Sequence, residues 1–216
     1  MYPSLRSLVV LGILSAAQVG AQTVDQLTPH KVKLESVEYS GKRAVRVIED
    51  GEVPNGQAYA VVKGSAFHNG EILVDVAGKP AAGVGGGARG FIGIGFRLKD
   101  DRFEYIYLRP TNGRADDQVR RNHSTQYSAF PDFDFAAGRQ QSPEKYESYV
   151  DLEPGVWTRI RITVKDSTAR LYVHGAPQPV LIVNDLKHGD SQGGVLLWIG
   201  PGTEGYFAGL EVRAAK

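Results

Sequence analysis

Residues 89–110, RGFIGIGFRLKDDRFEYIYLRP, constrain the fold more than any other stretch. Ile92, Ile94, Phe96 and Leu98 alternate with Phe91, Gly93, Gly95 and Arg97. After Lys99-Asp100-Asp101-Arg102, Ile106 and Leu108 alternate with Phe103, Tyr105, Tyr107 and Arg109. A period of two places each set on its own face of a strand, so the spacing predicts an antiparallel hairpin closed by a tight turn. One face is plain hydrophobic core. The other presents Tyr105, Tyr107 and Arg109 beside Gly93 and Gly95. A glycine inside a strand often marks close approach to the backbone. The pattern predicts a shallow trough with aromatic walls and a bare glycine floor, and makes this face the candidate ligand surface.

The rest of the chain repeats the same grammar. Alternating apolar segments fall at 31–39, 42–49, 59–62, 71–78, 156–165, 169–174, 179–183, 195–199 and 206–212, separated by turn-forming stretches such as DGEVPNG at 50–56. Gly41 and the Asn69-Gly70 dipeptide read as hairpin turns. Val195 to Ile199 is apolar on both faces and reads as a central strand. Roughly ten to twelve strands with no convincing helical period predict an all-β, antiparallel two-sheet sandwich. The glycine-rich segment 79–87 lacks the lysine and following helix of a phosphate-binding loop.

The leader and the charge count narrow the function classes. Arg6 followed by an apolar run from Leu8 to Ala17 and the small residues Val19-Gly20-Ala21 predicts a secretory signal peptide over 1–21. The apolar run is too short for a membrane span of about 20 residues. The mature part, 22–216, reads as one domain, secreted or periplasmic, with no integral membrane segment. Removing Arg6 from 25 basic residues leaves 24 against 24 acidic, so the mature chain is formally neutral. That balance gives no electrostatic case for nucleic acid. With no cysteine in the chain, no disulfide framework holds it together.

Between 111 and 148 the alternation stops. A segment this long in a compact domain is functional or disordered, and Tyr127, Phe130, Phe133, Phe135 and Tyr146 argue for order. It reads as an ordered loop over one sheet, with a short strand near 124–127. Its first half is dense in hydrogen-bonding groups. Asn112, Arg120, Arg121, Gln126 and Tyr127 are candidate ligand residues alongside Tyr105, Tyr107 and Arg109. If the chain is an enzyme, His123 is the candidate general base and Asp116 or Asp117 the acid/base carboxylate. If Tyr105, Tyr107 and Arg109 instead pack beneath the loop, Arg109 would pair with Asp116 or Asp117. Glu144 and Glu147 read as exposed charge, and Trp157 and Trp198 as packing residues. Arg159 and Arg161 would extend the trough if their strand shares its sheet. Asp116-Asp117 could ligate calcium with Asn112 and a backbone carbonyl, but they show no EF-hand pattern and the histidines are scattered, so no metal or cofactor is expected.

From Phe91 onward the chain resembles the concanavalin A-like lectin/glucanase superfamily. The carrying segments are FIGIGFRLKDDRFEYIYLRP, GVWTRIRITVKDSTARLYVHGAPQPVLIVNDL and GGVLLWIGPGTEGYFAGLEV. The middle one is similar to a hairpin of laminin-G-like jelly rolls, and the last to their closing strand pair. Within that superfamily the chain most resembles the bacterial 3-keto-disaccharide hydrolase domain. The resemblance implies a jelly roll with a concave face that meets carbohydrate. The E-x-D-x-x-E and E-x-D-x-E motifs of the glucanases are absent, and Glu104 shares its face with Ile106 and Leu108. Three functions follow as expectations: a carbohydrate-binding domain, a glycoside-acting hydrolase, or a structural or partner-binding envelope domain.

Overall fold

The computed structural model describes residues 23–54 and 56–215; the leader expected over 1–21 lies outside them. Among these residues fourteen strands and two short α-helices follow one another as β1 (Leu27–His30), β2 (Val32–Tyr39), β3 (Lys42–Glu49), β4 (Tyr59–Val62), β5 (Gly70–Pro80), β6 (Ile92–Lys99), β7 (Arg102–Leu108), α1 (Gln118–Asn122), β8 (Thr125–Phe130), α2 (Phe135–Gln141), β9 (Glu147–Ser148), β10 (Thr158–Lys165), β11 (Thr168–Val173), β12 (Leu181–Val183), β13 (Gly194–Ile199) and β14 (Thr203–Ala214). They form two seven-stranded antiparallel sheets. The front sheet runs β1-β4-β13-β6-β7-β8-β9, and the back sheet β12-β11-β10-β5-β14-β3-β2.

Alternation decides which side chains lie between the sheets. Ile92, Ile94, Phe96, Ile106, Leu108 and Leu197 from the front meet Val45, Val47, Ile72, Val74, Ile160, Ile162 and Phe207 from the back in one buried cluster. At about 25 cal/mol per Å² of apolar surface removed from water, this cluster is the main source of stability. The hairpin turns match the handedness of the strands. Ser40 and Gly41 between β2 and β3, and Asp100 and Asp101 between β6 and β7, all have positive φ, the conformation of a two-residue type I′ turn.

Several sequence expectations need correction. Asn69-Gly70 is not a hairpin turn, because β4 belongs to the front sheet and β5 to the back. The β6 alternation breaks at Arg97, whose φ of 60° accompanies a shift of register between Phe96 and Lys99. Leu98 therefore packs on the outer face of the front sheet. Arg97, its side chain fully buried, donates to the His68 carbonyl at 3.0 and 2.9 Å and to the Gly189 carbonyl at 2.8 Å. Arg159 and Arg161 stand on the back sheet, away from β7, and pair with Asp75, Glu211 and Glu71.

The stretch 111–148 holds two helices and two strands that widen the front sheet. The helices escape periodicity analysis because each is shorter than two turns. Each nonetheless begins on an aspartate that accepts a hydrogen bond from a backbone N–H of its first turn. Asp117 accepts from Arg120 N at 2.6 Å, and Asp134 from Ala137 N at 2.9 Å.

Candidate functional site

The outer face of β7 begins the site. Tyr105 and Tyr107 point away from the sandwich interior, as alternation predicts, into a second aromatic cluster with Tyr59, Phe103, Leu196 and Trp198. Their rings stack at 5.6 Å, and Trp198 from β13 lies 4.9 and 4.8 Å from the two. Both tyrosines are nearly sealed, at 4% and 3% exposure. Burial pushes both phenols up from their ordinary range.

The glycine floor is not bare. A Cβ on Gly93 would fall 2.6 Å from the Tyr107 Cα, and one on Gly95 2.5 Å from the Leu196 side chain. Gly93 admits the close approach of the β7 backbone and Gly95 the side chain of Leu196, which leaves no bare floor at either position.

The open space lies beside this cluster. A cleft of about 600 Å³ is lined by Arg89, Phe91, Arg109, Asn112, Asp117, Val119, Arg120, His123, Phe135 and Arg139. A smaller hollow of about 190 Å³ is lined by Tyr105, Tyr107 and Trp198, together with residues 87–89 and Pro201. Arg89, Phe91 and Phe135 line both. Helix α2 sets Phe135 and Arg139 four residues apart and so on one face, with the guanidinium 5.6 Å from the ring centroid.

A charged network closes one side of the cleft. Arg109 donates to Glu147 at 2.6 Å, to Gln126 Oε1 at 2.5 Å and to the Tyr107 hydroxyl at 3.0 Å. Arg139 donates to both Glu147 oxygens, at 3.0 and 2.7 Å, and to His123 Nδ1 at 2.9 Å. Glu147 is 3% exposed at its side chain. Burial alone would raise its carboxyl, but the two guanidiniums outweigh burial and hold it below the usual range. Burial lowers His123, and Arg139 and Arg109 lower it further against the pull of Glu147. With Nδ1 accepting from Arg139, the neutral ring carries its proton on Nε2, which faces Glu147 Oε2 at 3.6 Å.

The structure sorts the expected site residues. Arg109, Asn112, Asp117, Arg120 and His123 meet at the cleft. Asn112 donates to the His123 carbonyl and accepts from Arg120, so it braces the loop. Gln126 lies behind Arg109. Tyr127 is turned into the sandwich, where its hydroxyl donates to Glu104 at 2.5 Å. Arg121 bonds the Ala115 carbonyl. Asp116 is exposed and lines neither cavity, and Asp117 caps α1. Arg109 pairs with Glu147 instead of Asp116 or Asp117. Glu147, Arg139, Phe135, Phe91 and Arg89 were not legible as site residues. The one local signal for two of them is the Asp134 cap followed by Phe135 and Arg139 at helical spacing. Among the described residues no three or more His, Asp or Glu side chains converge on a metal-binding position.

No family model matches the sequence, and no curated protein matches it. Solved structures do. A carbohydrate-binding module of family 66 from Bacillus subtilis aligns with a TM-score of 0.53 at 10% identity, over 87% of this chain and 96% of its own. The chain has a concanavalin A-like jelly-roll fold. A candidate glycosyl hydrolase from Parabacteroides distasonis aligns at 0.52 and 13% identity over 89% of each chain. A Bacillus subtilis protein of unknown function with a galectin-like fold aligns at 0.50 and 12%, over 87% of this chain and 89% of its own. At these identities the likeness concerns architecture, and the jelly roll expected from the sequence is the one observed.

Proposed function

We propose that the protein is an exported carbohydrate-binding jelly roll whose saccharide lies in the cleft between β7, α1 and α2. The observation that carries this reading is the cleft itself. It combines the Phe91 and Phe135 rings with guanidinium, amide and imidazole donors on the outer face of a sheet. Aromatic faces stack on the C–H side of a pyranose, and fixed donors orient its hydroxyls. A neighbour of the same fold described as a carbohydrate-binding module supports it.

Binding fits the chemistry of the network better than hydrolysis of the 3-keto-disaccharide type. Glycoside hydrolysis needs one carboxyl that gives a proton and one that stays ionised, at a fixed separation. Glu147 is clamped ionised by two arginines and cannot serve as the acid. The Nδ1 lone pair of His123 is occupied by Arg139, and Nε2 carries the proton, so the ring offers no free base.

The test is a glycan array followed by titration calorimetry, with assay of released sugar on each bound glycan and on 3-keto-glycosides. We expect binding without turnover, weakened about tenfold by Phe135→Ala, since a stacked ring contributes up to about 1.5 kcal/mol. Tyr172→Ala, on the back sheet, should leave it unchanged. Retention of no glycan at all would leave the structural or partner-binding reading in its place.

A further inference from the structure

From the charge around the cleft we infer that the saccharide it takes is anionic, a sugar bearing a carboxylate or a sulfate ester. This inference rests on the saccharide-binding reading above and specifies its ligand. Four guanidiniums line the cleft, those of Arg89, Arg109, Arg120 and Arg139, against the carboxylate of Asp117. The only other acid in the network, Glu147, is shared between Arg109 and Arg139 and is almost wholly covered.

Arg89 and Arg120 have no carboxylate partner among the described residues. Arg89 donates to the carbonyls of Gly86 and Ala88. Arg120 donates to Asn112 Oδ1 and to the carbonyl and hydroxyl of Thr111. These neutral acceptors hold the side chains in place without cancelling their charge. Arg109, 3% exposed, stands in the cleft wall with its charge shared with Glu147, so the uncancelled charge is that of Arg89 and Arg120.

Like charges gathered around a partly enclosed space of low polarity repel one another and concentrate a positive potential there. An anion in the cleft relieves that repulsion. A neutral sugar does not. Planar guanidinium forks match the paired oxygens of carboxylates and of other oxyanions. The rings of Phe91 and Phe135 would take the apolar face of the same sugar.

The experiment compares three probes on the full mature chain by calorimetry: oligogalacturonate, its carboxyl-reduced neutral counterpart, and a sulfated galactan. A glycan array carrying neutral, uronate and sulfated saccharides widens the set. Anionic glycans should bind at least about tenfold more tightly than neutral counterparts, with affinity falling as salt rises from 50 to 500 mM, about 14 to 4 Å of Debye length. The uronate and sulfate arms tell which anion is recognised. Arg89→Gln and Arg120→Gln should each cost about tenfold for the anionic ligand. Arg114→Gln, an exposed arginine paired with Asp151, should cost nothing. Thermal melting of each variant separates lost binding from lost folding. Equal binding of acid and reduced glycan, or neutral hits alone, would overturn the anionic assignment and leave saccharide binding standing. No hit of any charge would remove both.

Discussion

Glu147 shows how much one residue can depend on its neighbours. Its carboxylate joins Arg109 from the end of β7 to Arg139 from α2, across a strand of two residues. Breaking a buried ion pair by removing one partner is costly because the other charge stays behind. Glu147→Gln should therefore lower stability by about 3 kcal/mol, read from urea midpoints at pH 7. The pH dependence has a definite sign. Glu147 has a depressed folded-state pKa, so its contribution is complete above the unfolded value of 4.5 and is lost as pH falls below it. His123 is likewise depressed from 6.5, so below that value the unfolded chain takes a proton that the folded one resists. Both groups make stability fall on acidification. His123→Gln should reduce the fall of the melting temperature between pH 7 and 5, where His188, also lowered by burial, supplies the rest, and should leave the steeper loss below 4.5. An unchanged profile in that variant would show that His123 does not titrate differently in the two states.

At the level of elements, α2 is the part on which the cleft most depends. It is seven residues long and is fixed by its Asp134 cap and by the charge network. Asp134→Ala should cost about 1 kcal/mol. Because Phe135 follows the cap directly, ligand affinity should fall with it, which calorimetry would detect. In β6, Gly93→Ala has no room beside Tyr107, and thermal unfolding should show a loss of about 1–3 kcal/mol. The strands of this site were legible because alternation is a local property: Tyr105, Tyr107 and Arg109 share the outer side as their spacing requires. The partner of Arg109 was not legible. Glu147 lies 38 residues away in the chain and reaches it only through the pairing of β8 with β7 and β9. The inward turn of Tyr127 was not legible because a lone polar-rich strand gives no sign of which face turns inward. Arg97 was misassigned because its bulge resets the alternation.

Across the whole molecule, the two sheets share one continuous core. Sheets that share one core are expected to unfold together in one step. The two tryptophans allow that to be checked, since Trp198 reports the outer face of the front sheet and Trp157 packs with the Tyr39 and Tyr206 cluster of the back sheet. In Trp157→Phe and in Trp198→Phe, the fluorescence midpoint in urea should coincide with that variant's own far-UV circular dichroism midpoint. Separate midpoints would mean that the sheets come apart in stages.

The lengths of the outermost strands bear on how this chain behaves when crowded. Unpaired strand edges are templates for joining one molecule to the next. Here β9 and β12 offer only two and three residues. At the far end of the back sheet, β2 is long but sets Lys33, Glu35 and Glu38 toward solvent. Intermolecular sheet growth is thereby discouraged at three of the four margins, and β1, a four-residue strand with Pro29 in its middle, cannot offer a full row of amides at the fourth.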